Sequence, residues 1–188
     1  MGFRLSWIAI KGTPPDIALD SLSLERTGTR ESTPESQIAC ASLPNGWFLI
    51  VVNDHIPSIT GPDSAAAISV GCRAVVCHVN ETTMDSSAAG YEDGGQTWSV
   101  IHNPEQDPTN VDICGRPPES LNNILERLNA AQNATAGDDT KTAPLFEAPV
   151  DLANDIVGSR YDADVESEDD PPFEVLRLKR RPRKWRFW

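Results

Sequence analysis

Ile38-Ala39-Cys40-Ala41-Ser42-Leu43-Pro44-Asn45-Gly46-Trp47-Phe48-Leu49-Ile50-Val51-Val52 is the stretch that decides the fold of this 188-residue chain. Two apolar runs flank Pro44-Asn45-Gly46, and Asn-Gly is the dipeptide that accepts positive φ where antiparallel strands reverse. Residues 47–52 are apolar at every position, with none of the alternation of a strand that shows one face to water. The hairpin therefore predicts an antiparallel sheet whose second strand is buried on both faces.

Residues 3–10, rich in aromatic and β-branched side chains, predict another strand. Thr13, Pro14 and Asp16 then form a helix-start signature for residues 15–24, with Ile17, Leu22 and Leu24 inward. Residues 25–36 are polar and read as a loop. A short Ala-rich helix capped by Asp63 is expected over 63–70, and a long strand over 73–83. Glu92-Asp93-Gly94-Gly95 marks a turn before a strand at 97–102. Leu121, Ile124, Leu125 and Leu128 recur at helical spacing within residues 117–132. Residues 149–157 read as a short helix stopped by Gly158, and 173–178 as a last strand.

This order predicts an α+β fold, a largely antiparallel β-sheet with three to four short helices packed on it, followed by a charged C-terminal tail. The chain divides into a single domain over residues 1–158, an acidic linker over 159–172, and a C-terminal strand with a basic aromatic tail over 173–188.

Charge is segregated along the chain. Residues 177–186 hold seven of the sixteen Lys and Arg residues and no acid, leaving nine bases against all 28 acids elsewhere, a net of −19. A pI of about 4.6 argues against the body binding nucleic acid, which requires basic neutralisation of phosphate. Cys40, Cys72, Cys77 and Cys114 show no C-x-x-C spacing, and apolar neighbours around Cys77 suggest reduced core thiols. No stretch is long and apolar enough to span a bilayer. The first ten residues contain Arg4 and run into Lys11-Gly12-Thr13-Pro14, which does not read as a secretion signal. A cytoplasmic protein is expected.

Three histidines are present, His55, His78 and His102. If the connection between their strands is centred near residue 90, antiparallel pairing sets His78 opposite His102. If it is centred on the 92–95 turn the two separate, because a register slip reverses faces. Paired, His78 and His102 with Glu81 or Glu92 would form a metal or acid–base cluster of a hydrolase-type enzyme. Unpaired, they are half-buried strand histidines satisfied locally. Cys77 with His102 is a further geometric option. No G-x-S-x-G elbow, phosphate loop or metal motif is present, so the reading leans away from an enzyme, and no cofactor is expected.

The tail comprises Arg177, Lys179, Arg180, Arg181, Arg183, Lys184, Trp185, Arg186, Phe187 and Trp188. Its interleaved cations and aromatics suit an anionic membrane, single-stranded nucleic acid, or this chain's own acidic body. The acidic body makes self-docking, or exchange within a homodimer, the favoured expectation.

The Ser6-Trp7-Ile8-Ala9-Ile10-Lys11-Gly12 opening, the hairpin, the Cys77-His78-Val79-Asn80-Glu81-Thr82 strand and the Trp98-Ser99-Val100-Ile101-His102 run together resemble a set of uncharacterised bacterial α+β proteins. The resemblance implies no catalytic residues. By analogy alone, small acidic bacterial proteins of this kind include immunity proteins against secreted toxins. The expected function is thus a non-enzymatic protein-interaction module whose acidic surface binds a basic partner.

Overall fold

The computed structural model describes residues 2–134, 144–167 and 169–179. The strands are β1 (Arg4–Lys11), β2 (Leu24–Glu31), β3 (Ile38–Ser42), β4 (Phe48–Asn53), β5 (Arg73–Asn80), β6 (Asp85–Glu92), β7 (Gly95–His102), β8 (Asp112–Gly115) and β9 (Phe173–Leu178). They form one nine-stranded sheet in the order β2-β9-β3-β4-β1-β5-β6-β7-β8, antiparallel at every pairing. The helices among the described residues are α1 (Pro15–Ser21), α2 (Pro57–Thr60), α3 (Pro62–Ile68), α4 (Ser120–Ala134) and α5 (Glu147–Val157), with one 3₁₀ turn at Pro144–Phe146. The α+β class and antiparallel sheet are as the sequence predicts.

The hairpin forms as its turn chemistry requires. Leu43 N–H donates to the Trp47 carbonyl, and Gly46, at φ +84°, donates to the Leu43 carbonyl. Asn45 also donates to the Val157 carbonyl at 2.7 Å, tying the turn to the end of α5. Along β4 the side chains divide between two cores. Leu49 and Val51 face α4 and α5, whereas Phe48, Ile50 and Val52 face α1, α2 and α3. This is why the run is unbroken: both sides of the strand exclude water.

Several local expectations are corrected. The first helix ends at Ser21, Leu24 begins β2, and Ile17 is 56% exposed while Ala18 and Leu19 turn inward. Thr13 and Asp63 do not cap their helices; the N-cap positions are Pro14 and Gly61, without a side-chain bond. Residues 24–31 form an edge strand. Their polarity is that of a strand paired on one side only and bulged around Gly28.

Residues 85–92 form another strand that its Ser-Ser-Ala-Ala-Gly composition conceals. The Trp98 indole lies across it, and a Cβ on Gly90 would sit 2.1 Å from the indole nitrogen. Only glycine fits there. At the C-terminus, β9 enters between β2 and β3, so the last described segment lies inside the sheet.

Candidate functional site

Helices α1, α2 and α3 cover one sheet face from β2 to β5, and α3 reaches β6 only near Tyr91. Beyond that, no helix among the described residues covers the same face. Two cross-strand rows lie on it, His78–Ser87–Ile101–Asp112 and Val76–Ala89–Ser99–Cys114. Ile101 is 41% exposed and Cys114 is open to solvent. Small side chains on β6 and β7 leave a cavity of about 420 Å³ between this floor and the His55–Thr60 wall. A second cavity of about 370 Å³ shares Ser87 and Ile101 with it and continues past Asp85 and Glu105. Together they form a groove that runs along β6 and β7, from Tyr91 and Gln96 beside the 92–95 turn to Asp85 and Glu105 at the opposite end.

A polar chain closes the inner wall. Ser6 is buried on the helix-covered face of β1 and donates to the Asp54 carbonyl at 3.0 Å. Its oxygen lies 3.0 Å from Thr60 Oγ1, which lies 3.4 Å from His55 Nδ1. Ser6 gives its one proton to the Asp54 carbonyl, so within the pair it accepts from Thr60, whose hydroxyl also lies 3.5 Å from the Ile56 carbonyl. The His55 and His78 rings meet edge to face with centroids 5.7 Å apart, and His78 Nε2 lies 3.5 Å from Asp85 Oδ2. Burial holds the His78 pKa below its ordinary value, against the opposing pull of Asp85. His78 Nδ1 is buried without a partner.

The candidate histidines do not meet. Register pairs His78 with Ser87 and His102 with Ser86, one strand and one face apart, because β6 lies between their strands. His102 is completely buried on the α4–α5 side, where Nδ1 donates to the Asn110 carbonyl at 3.1 Å. Glu81 is engaged elsewhere, accepting from Phe3 N–H and from the Tyr161 hydroxyl. Cys77 shares a face with His102, but its register partner Ala88 is two positions along β6 from His102's partner Ser86. Burial pushes the Cys77 thiol up to about 12, so it is no thiolate nucleophile. Among the described residues no three His, Cys, Asp or Glu side chains converge as a metal site.

Of the tail, Arg177 pairs with Glu25 and Lys179 with Asp20, both on the body. Arg180, Arg181, Arg183, Lys184, Trp185, Arg186, Phe187 and Trp188 lie outside the described residues. The sequence reading missed the His55–His78 contact and the Ser6–Thr60 pair. Ser6 carried the signal: it is a polar residue in phase with Ile8 and Ile10 on the helix-covered face of β1.

Acid is concentrated around the groove. Residues 85–115, which build β6, β7 and β8, hold six acids and no Lys or Arg. No Lys or Arg lines either cavity. Among the described residues no helix is long and apolar enough to cross a membrane. No family model, curated protein or solved structure matches the chain.

Proposed function

We propose that this chain is a non-enzymatic interaction protein that docks a basic protein on the bare outer half of its sheet, an immunity-like role being one form. The observation that carries the reading is the groove over β5 to β8, walled by hydrogen-bond acceptors and small side chains within a stretch that has six acids and no cation. Asp85, Glu105 and Asp112 all accept, and guanidinium and ammonium groups only donate. Ala89, Val76 and Ile101 offer apolar floor beside them, the mixed core and charged rim of a protein-binding patch. The hydroxyls of Ser6 and Thr60 are committed to one another and to the backbone, which leaves no activated nucleophile in the wall.

Nona-arginine is a defined probe for this chemistry. Its affinity for the wild type is compared with Ser87→Arg, which sets a cation on the groove floor, and with Asn122→Arg, the same charge change on exposed α4. We expect Ser87→Arg to weaken binding by about tenfold and Asn122→Arg by far less, since a like charge in direct contact outweighs one screened over more than about 10 Å. Equal weakening by both substitutions would mean diffuse attraction to an acidic protein and no docking surface.

A further inference from the structure

The Asp85–Glu105 mouth of the groove and the last described residue of the C-terminal segment lie at the same end of the sheet. Carried from strand to strand, the registers place Leu178, Ile38, Asn53, Arg4, Asn80, Asp85, His102 and Asp112 along that end. Lys179 N–H donates to the Ser23 carbonyl, and its ammonium donates to Asp20 of α1 at 2.5 Å. The Lys179 side chain therefore lies on the face that carries α1 to α3, which is also the groove's face.

The distances match. From β9 to β6 is five strand spacings, about 24 Å at roughly 4.8 Å each. Residues 180–188 extended cover about 30 Å, and the first six of them about 20 Å. The reach of an extended chain thus extends to β5 by position 185 and to β6 and β7 by positions 187 and 188, where the floor is small and apolar. Five cations precede or separate Trp185, Phe187 and Trp188, in a segment without an acid. The acids on their route are Asp54, which already pairs with Arg4 at 3.0 Å, and Asp85.

We propose that residues 180–188 occupy the groove of their own chain, as an internal pseudo-ligand that an external basic partner must displace. The inference rests on the docking reading above and deepens it. The tail's composition then states what the groove selects: arginine and lysine interleaved with aromatic rings, the cations bound by the acidic rim and the rings by the bare floor. A tethered segment acts at an effective concentration of about a millimolar, so a tail whose free peptide binds at about 100 micromolar weakens an outside ligand about tenfold.

The test uses full-length chains and a labelled synthetic peptide of residues 180–188. The hosts are the wild type, a chain carrying Arg181→Ser, Lys184→Ser, Trp185→Ser and Trp188→Ser, and that chain with Ser87→Arg added. We expect the peptide to bind the tail-substituted chain about tenfold or more tighter than the wild type, and Ser87→Arg to abolish the gain. Equal peptide binding to wild-type and tail-substituted chains overturns the proposal.

Nona-arginine on the same hosts separates the two readings. If it binds in a Ser87-dependent manner while the tail peptide does not, the docking surface stands and self-docking falls; if neither binds so, both fall. Masking that strengthens with protein concentration assigns the tail to a second copy and overturns occupancy within one chain. So does tail-dependent binding of the wild type to phosphatidylserine vesicles or a single-stranded oligonucleotide without masking of the groove.

Discussion

His55 and His78 meet edge to face at 5.7 Å, one from the loop after β4 and the other from β5, and between them they form the corner of the groove. The contact holds two imidazoles, Asp54, Asp85 and Arg4 within one electrostatic neighbourhood.

That neighbourhood makes stability depend on pH in a definite direction. Burial lowers the folded-state pKa of His78 below its ordinary 6.5, so between those two values the unfolded chain binds more protons than the folded one. Its contribution is fully present above pH 6.5 and is lost as pH falls toward the folded value. Urea midpoints at pH 7.5, 6.5 and 5.5 are expected to decline, and His78→Gln should flatten that decline. An unchanged slope in the variant would assign the decline to other groups.

Arg160 spreads its guanidinium over three acids, with 2.6 Å to Glu147, 2.5 Å to Asp151 and 2.6 Å to Asp162. Burial alone would lower its pKa, but the hydrogen-bonded carboxylates outweigh that and raise it. Arg160→Met leaves those acids facing one another and should cost about 2 kcal/mol by urea unfolding, a buried-pair loss discounted for partial exposure. Arg160→Lys should recover only part of this, because a single ammonium cannot reproduce the three-way fork. Full recovery by lysine would reduce the role to charge alone.

Gly90 has no room for a methyl group beneath Trp98. Gly90→Ala should destabilise the chain by about 3 kcal/mol, the upper end for overpacking, with a change in Trp98 fluorescence as the indole is displaced. A neutral substitution would mean that the β6–β7 packing yields easily.

The four cysteines should react unequally with a thiol reagent. Cys40 and Cys77 are buried and pushed up to about 11 and about 12, Cys72 is buried, and Cys114 on β8 is exposed. A thiol reagent at pH 8 should label one cysteine in the native chain and four in urea. Rapid labelling of two or more native thiols would show that the core opens readily.

The parts of the fold that were legible in the sequence are those fixed by local chemistry. Pro44-Asn45-Gly46 announces its own turn, and Leu121 to Leu128 announce a helix face, because neighbours in sequence supply the cause. Strand β6 was not legible because its small residues answer to Trp98 on the next strand, and β2 was not because an edge strand need not alternate. The same missed strand decided the site. With β6 inserted, His78 and His102 separate to opposite faces, and His55, from a loop that no periodicity marks, takes the place beside His78. Where acid accumulates without cations was readable from residues 85–115; that those residues form a bare sheet face was not, since it depends on where α1, α2 and α3 stop.

The most direct test of the docking surface is amide chemical-shift mapping of the full-length chain titrated with nona-arginine at moderate salt. Docking on the outer half of the sheet requires the shifts to concentrate on Ser87, Ala89, Ser99 and Ile101, with the His55 and His78 ring signals following at the same midpoint. Shifts spread instead over Glu119, Glu126 and Asp155 on α4 and α5, with β6 and β7 silent, would contradict it.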